Sequence, residues 1–185
     1  MPQERTRKIV ITGIMGAIAI FLGATGWGFI PWVGGISLTI MMVPVIIGAV
    51  LEGPVVGAAI GLIFGIFSMI QAAVAPKSPG DVIFTNPLVA VLPRLLVGPG
   101  AWLVYRSLLR WPVAALIGAG AVGSLVNTVL VLGVIGLLGL APWEVILPLI
   151  PVNGLPEAGA AALLVLTVVS AWHGISIGRR KSSSL

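Results

Sequence analysis

NPLVAVLPRLLVGPGAWLVYRSLL, residues 86–109, is an apolar segment of membrane-spanning length with an arginine, Arg94, well inside it. A transmembrane helix needs about 20 mostly apolar residues. An ionised side chain within such a segment normally faces the protein interior, has a partner and marks a substrate or ion path. Glu157 provides a matching negative charge inside another apolar segment. The pair predicts a membrane protein with a polar site between its helices.

The composition assigns the whole chain to the membrane. Hydrophobic residues make up 58% of the 185 residues, charged residues make up 8%, and the mean hydropathy is +1.18, outside the range of soluble domains. We predict an all-α fold, with a single polytopic membrane domain over residues 1–185 and six transmembrane helices. The approximate spans are 9–26, 37–51, 54–75, 86–109, 112–140 and 145–177. The second is short and contains Pro44, which favours a tilted, kinked or shallow helix.

Basic residues flank the apolar segments and indicate orientation. The positive-inside rule places these clusters, and with them both termini, in the cytoplasm. The first segment is expected to remain as a helix and not to be cleaved as a secretory signal. The flanking residues are Arg5, Arg7, Lys8, Arg106, Arg110, Arg179, Arg180 and Lys181.

The sequence lacks the residues that several classes of function require. The chain has no cysteine and one histidine, His173, which disfavours the usual metal sites and excludes thiol catalysis. It has no GxxxxGK[ST] phosphate loop and no HExxH or GxSxG motif. We therefore expect no enzyme, no catalytic residue, no bound metal and no cofactor held by this chain.

Polar residues cluster in the outer half of the predicted bundle. Arg94 follows Asn86 by eight positions and Glu157 follows Leu149 by eight, so each lies roughly 12 Å inward and the two can meet. An ion pair that only joins two helices is one interpretation, and a ligand site is the other. Segment 27–35, rich in glycine, either anchors tryptophans at the membrane interface or covers the site as a lid. The candidate substrate-binding residues are Arg94, Glu157, Asn153, Asn127, Asn86, Gln71, Trp32 and Trp27.

Small residues recur at helical spacing in two places. Gly53, Gly57, Gly61 and Gly65 follow one another every four residues and predict a glycine face on the third helix. Such faces let two backbones approach closely in lipid. Internal packing is the simpler interpretation, and a contact with another subunit is the alternative. The first helix has a smaller face of the same kind, at Gly13, Gly16 and Ala17.

Two stretches carry a family resemblance: LTIMMVPVIIGAVLEGPVVGA at 38–58 and NPLVAVLPRLLVG at 86–98. They resemble the substrate-binding S components of energy-coupling factor (ECF) vitamin transporters, and the similarity extends over nearly the whole chain. The resemblance implies a six-helix bundle in a prokaryotic plasma membrane that captures a vitamin on the outer side. It also implies docking on a transmembrane coupling subunit driven by two ATPase subunits, which use the ATP.

The resemblance further implies that small residues of the first helix contact the coupling subunit. The usual signature is Ala-x-x-x-Ala, and the nearest match here is Gly13-x-x-x-Ala17. The candidate docking residues are therefore Gly13, Gly16 and Ala17.

The substrate expected from the resemblance is pantothenate, with Arg94 binding its carboxylate. Glu157 either neutralises Arg94 or binds a cationic ligand, so hydroxymethylpyrimidine, pyridoxamine, riboflavin and cobalamin are alternatives in the same role. An alternative from another class is a self-contained homo-oligomeric small channel or membrane scaffold, with the glycine face as its subunit interface.

Overall fold

The computed structural model describes residues 2–31, 37–76 and 79–182, with side chains at 3–29, 38–76 and 80–173. Seven α-helices, a short antiparallel hairpin and one 3-10 helix, Pro79–Thr85, follow one another along it. The helices are α1 (Pro2–Thr25), α2 (Val43–Glu52), α3 (Pro54–Val74), α4 (Pro87–Ala90), α5 (Leu92–Ser107), α6 (Pro112–Leu137) and α7 (Trp143–Ser182). The strands are β1 (Phe29–Pro31) and β2 (Ser37–Thr39).

The predicted all-α membrane fold is confirmed. Within the described residues, five helical stretches are long and apolar enough to cross a membrane, and α2 is a shorter apolar helix. Prolines begin several of the helices, as expected for a residue that lacks an N–H and tolerates only the first turn. The five stretches are Gln3–Thr25, Pro54–Val74, Pro87–Ser107, Pro112–Leu137 and Trp143–His173.

The second predicted helix, 37–51, is wrong in its first part. Residues 37–39 form β2, which pairs antiparallel with β1 in the register Phe29↔Thr39, and α2 begins only at Val43. Pro44 lies in the first turn of α2, where its missing N–H is tolerated. Ten residues of helix rise about 15 Å, half of a hydrocarbon core about 30 Å thick. Strand β2 and the turn that follows it therefore take the place of the first part of this predicted helix.

A break at Val91 divides the fourth predicted span into α4 and α5. Pro93 has no N–H, so the carbonyl of Val89, four residues earlier, loses its helical donor. The guanidinium of Arg94 replaces that donor, since its Nη1 lies 2.6 Å from the Val89 carbonyl oxygen. The proline and the arginine thus act together: the first frees a carbonyl inside the bundle and the second satisfies it.

The glycine face of α3 is packed inside the chain. A Cβ added at Gly61 would collide with the carbonyl oxygen of Arg94, and one at Gly57 would lie 2.9 Å from the Cα of Gly98. These contacts bring the backbones of α3 and α5 together, which supports internal packing over a subunit interface. Gly53 is not part of the face, because it forms the turn between α2 and α3 with a φ of 98°, a conformation that favours glycine.

Candidate ligand-binding site

Arg94 lies buried between two aromatic rings at the start of α5. Its side chain is 6% exposed, and its guanidinium carbon lies 5.4 Å from the ring centre of Phe64 and 4.9 Å from that of Phe84. The rings attract the cation through their π electrons, and the Val89 carbonyl accepts from Nη1. The buried Nε has no hydrogen-bond partner within the described part of the chain. A fixed cation therefore keeps one donor available for another group.

Glu157 is also buried, but both of its oxygens are in use. Oε1 accepts from the backbone N–H of Thr39 at 2.7 Å, and Oε2 accepts from the Thr128 hydroxyl at 2.9 Å. The carboxylate lies close enough to Arg94 for the two charges to attract each other. However, no nitrogen of Arg94 lies within 4.0 Å of a Glu157 oxygen. A direct ion pair between the two, which was one of the two interpretations of the sequence, is therefore absent, because each charge has nearer partners.

Helices α6 and α7 add uncharged polar atoms to this region. The Oδ1 atoms of Asn127 and Asn153 and the Oγ of Ser124 are buried and have no partner within the described residues. A buried polar atom left without a hydrogen bond costs roughly 1–3 kcal/mol. Ser124, Asn127 and Thr128 share one face of α6, and Thr128 joins that face to Glu157 of α7. A ligand with complementary polar groups would satisfy these atoms.

The other predicted site residues already make bonds within the chain or lie elsewhere. Asn86 caps α4, with its Oδ1 accepting from the N–H of Leu88 at 2.9 Å. Gln71 donates from Nε2 to the carbonyl of Gly23 at 3.3 Å and so links α3 to the end of α1. Trp27 is 76% exposed. Trp32 lies outside the described residues, so the predicted lid has no description over 32–36.

Sequence reasoning missed five residues of this region. Phe64 and Phe84 contact Arg94, Thr39 and Thr128 bond Glu157, and Ser124 adds an unpaired oxygen. Ser124 and Thr128 were detectable, since they lie three residues before and one after Asn127 in a helix with few polar residues. The role of Thr39 was not detectable, because Thr39 contributes its backbone N–H and a pattern of side chains does not reveal a backbone contact.

The small-residue face of α1 divides into two parts. Gly16 is buried, and a Cβ there would lie 3.0 Å from Cδ1 of Ile63. Gly13 and Ala17 are exposed, and nothing lies within 4 Å of a Cβ added at Gly13. A mainly apolar groove of about 600 Å³ runs beside Gly13, between α1 and the start of α3. Two of the three candidate docking residues are therefore accessible from outside the chain.

An ion pair fixes the end of α1 nearest this groove. Arg7 Nε lies 2.6 Å from Oε1 of Glu52, whose side chain is 7% exposed, and Glu52 closes α2 just before the turn at Gly53. This contact joins α1 to the α2–α3 turn.

Comparison with known proteins agrees with this architecture. The sequence pattern of the family described as ECF transporter, substrate-specific component, matches residues 7–169. A protein of Leuconostoc mesenteroides subsp. mesenteroides named pantothenate transporter PanT is 34% identical over 138 residues, which cover 70% of this chain and 68% of that protein. The pantothenic acid transporter PanT of Lactococcus lactis subsp. cremoris is 27% identical over an alignment that covers 92% of this chain and 96% of that protein.

Proposed function

The chain belongs to the family of substrate-specific components of ECF transporters, and we propose that the vitamin it binds is pantothenate. It is a multi-pass subunit of a membrane transporter. The names of two similar proteins support this substrate. The observation that carries the proposal is the buried Arg94 guanidinium, held between two aromatic rings with its Nε unpaired.

The polar groups of pantothenate match those that the site offers. Pantothenate has one carboxylate, one secondary amide and two hydroxyls. The Arg94 Nε–H is a charge-assisted donor for the carboxylate. The Oδ1 atoms of Asn127 and Asn153 can accept from the amide N–H and the hydroxyls, and the Ser124 hydroxyl can donate or accept. An elongated anion with several neutral polar groups therefore satisfies atoms that otherwise lack partners.

Cationic vitamins fit the site less well. An ammonium group such as that of pyridoxamine needs an anionic acceptor, and each oxygen of Glu157 already accepts one hydrogen bond, from Thr39 or from Thr128. The nearest charge on the other side of the site is Arg94, which repels a cation. The channel or scaffold alternative also loses its support, because the glycine face of α3 is covered by α5.

We propose that transport depends on partners for its energy. The ligand enters from the outer side, and a transmembrane coupling subunit with two ATPase subunits then drives its release inward. In this proposal ATP is used only by those partners, and this chain holds no cofactor and no metal and carries out no catalysis. Both termini lie in the cytoplasm, and the exposed Gly13 and Ala17 face of α1 contacts the coupling subunit.

Calorimetry on the purified chain with a panel of vitamins tests the ligand. We expect binding of pantothenate and no binding of pyridoxamine, hydroxymethylpyrimidine, riboflavin or cobalamin at the same concentrations. Arg94→Gln should weaken pantothenate binding at least about 30-fold, because removing one partner of a buried charge pair costs about 2–5 kcal/mol.

Arg106→Gln is the matched control for this experiment. Arg106 lies on the same helix, and its guanidinium carbon is 5.5 Å from the ring centre of Trp102, but it is not among the buried polar residues. Its substitution should leave pantothenate affinity within about twofold, since surface charges contribute little. If the unaltered chain bound a different vitamin tightly, that vitamin would replace pantothenate as the proposed substrate.

A further inference from the structure

The Glu157 carboxylate connects three elements that are far apart in sequence. It lies on α7, accepts the Thr128 hydroxyl of α6, and accepts the backbone N–H of Thr39 in β2, 118 positions earlier in the chain. We infer that Glu157 is a positioning residue that holds β2 against the ligand site, and that it does not itself contact the ligand. For its effect on pantothenate, this inference rests on the proposed function.

The hairpin depends on an outside contact of this kind. Each of its strands has three residues, and an isolated two-stranded hairpin is at best marginally stable. Successive N–H groups of a strand point to opposite sides. The N–H of Ile40 bonds the Gly28 carbonyl oxygen at 2.9 Å, so the N–H of Thr39 points away from β1. Glu157 accepts that outward N–H.

The position of β2 in the bundle makes this bond important. Strand β2 lies where a helix would normally cross the outer half of the membrane, and the side chains there are buried: Leu38 in the strand, and Met41 and Met42 in the turn that follows it. Non-helical backbone at membrane depth is tolerated only where protein or water satisfies its polar groups. Without Glu157, the N–H of Thr39 would lack its acceptor. An ionised acceptor also gives a stronger hydrogen bond than a neutral one.

The use of both oxygens separates the two charged residues by role. Arg94 is the charged group that faces Glu157 from α5, whereas the residues that contact Glu157 from β2 and α6, Thr39 and Thr128, are uncharged. The Nε of Arg94 has no hydrogen-bond partner among the described residues, whereas each oxygen of Glu157 already accepts one hydrogen bond. The ligand therefore meets Arg94 directly and is affected by Glu157 only through the placement of β2.

Hydrogen–deuterium exchange of the ligand-free chain, followed by mass spectrometry, tests the bond itself. In Glu157→Gln, exchange at the Thr39 amide should rise about tenfold, the scale expected for losing the charge-assisted part of one hydrogen bond. Glu144→Gln, an exposed position at the start of the same helix, should leave that exchange unchanged. Unchanged exchange at Thr39 in Glu157→Gln overturns the inference, whatever the ligand of the chain is.

A second measurement tests the consequence for binding without changing any charge. Thr39→Pro removes the N–H, and Thr39→Val is the control that removes only the hydroxyl. We expect pantothenate to dissociate about tenfold faster from Thr39→Pro than from the unaltered chain, and within about twofold of the original rate from Thr39→Val. Equal dissociation rates for the two variants would show that the bond has no influence on the ligand. If the unaltered chain does not bind pantothenate, the proposed substrate fails while the exchange experiment still decides the role of Glu157.

Discussion

The glycine face of α3 and the small-residue face of α1 have the same sequence pattern and opposite surroundings. Gly57 and Gly61 lie against the backbone of α5, with no space for a side chain. Gly13 and Ala17 are exposed, and open space surrounds Gly13. Small residues at helical spacing thus predict where two backbones can approach, but they do not predict which surface approaches. In α3 the partner is inside the chain, and in α1 the surface is open to another protein.

The packed face also positions the candidate ligand site. The residue that Gly61 contacts is Arg94 itself, through its backbone carbonyl oxygen. Phe64, on the same helix, places its ring over the Arg94 guanidinium. Helix α3 therefore contacts both the backbone and the side chain of the proposed ligand-binding residue, whereas Gly13 and Ala17 of the α1 face are exposed.

Gly61→Ala should have the largest effect, because the added Cβ collides with backbone and not with a flexible side chain. We expect a loss of stability of about 3 kcal/mol, at the upper end of the usual cost of overpacking, together with loss of measurable pantothenate binding. Thermal unfolding, monitored by tryptophan fluorescence, measures the loss of stability. Calorimetry measures the loss of pantothenate binding. Gly13→Ala is the matched variant on the open face and should be neutral or slightly stabilising, since alanine favours helix. Equal effects of the two substitutions would remove the distinction between the faces.

Replacing Gly13 or Ala17 by leucine should have the next largest effect. The effect should appear in the assembly with the coupling subunit and not in ligand binding. Because these positions are exposed, we expect Gly13→Leu and Ala17→Leu to keep pantothenate affinity within about twofold. Co-purification with the coupling subunit and the ATPases should fall at least about tenfold, since bulky side chains prevent close helix approach. Gly133→Leu is the control, because Gly133 also has open space around it but lies on α6. Unimpaired assembly of the α1 variants would assign docking to another surface.

Gly16→Ala should have the smallest effect. Its Cβ would lie 3.0 Å from Cδ1 of Ile63, the end of a flexible side chain that can rotate. We expect a change in unfolding free energy below about 1 kcal/mol and unaltered assembly. Thermal unfolding of Gly16→Ala and of Gly61→Ala, measured under the same conditions, compares their losses of stability. A loss as large as that of Gly61→Ala would mean that α1 is as tightly fixed to α3 as α5 is.

Most helices were predictable because long apolar segments between proline and glycine breaks permit few other structures in a membrane. The strand at 37–39 and the turn at 41–42 were not predictable, since a run of leucine, isoleucine, methionine and valine fits a strand and a buried helix equally well. Pro44 was the available sign that the helix begins late. Tertiary contacts, above all the bond from Thr39 to Glu157, decide the structure there.

The charged residues of the candidate site could be predicted from the sequence, but their partners could not. A buried arginine and glutamate are rare enough in apolar segments to stand out, and both are buried in the same region. Counting residues along helices gives depth, but it does not give the direction in which a long side chain turns. Arg94 turns toward the carbonyl that Pro93 leaves free, and Glu157 turns toward β2. Such partners depend on local backbone breaks that a periodic pattern does not describe.

The most direct test of the proposed role of Arg94 compares pantothenate with its alcohol analogue, in which a primary hydroxyl replaces the carboxylate. Calorimetry with the unaltered chain should give an affinity for pantothenate about 100-fold higher than for the analogue, the scale expected for a buried charge pair. In Arg94→Gln this preference should fall to within about threefold, while Arg106→Gln keeps it. A preference that survives in Arg94→Gln would show that the carboxylate is bound elsewhere, and it would contradict the account.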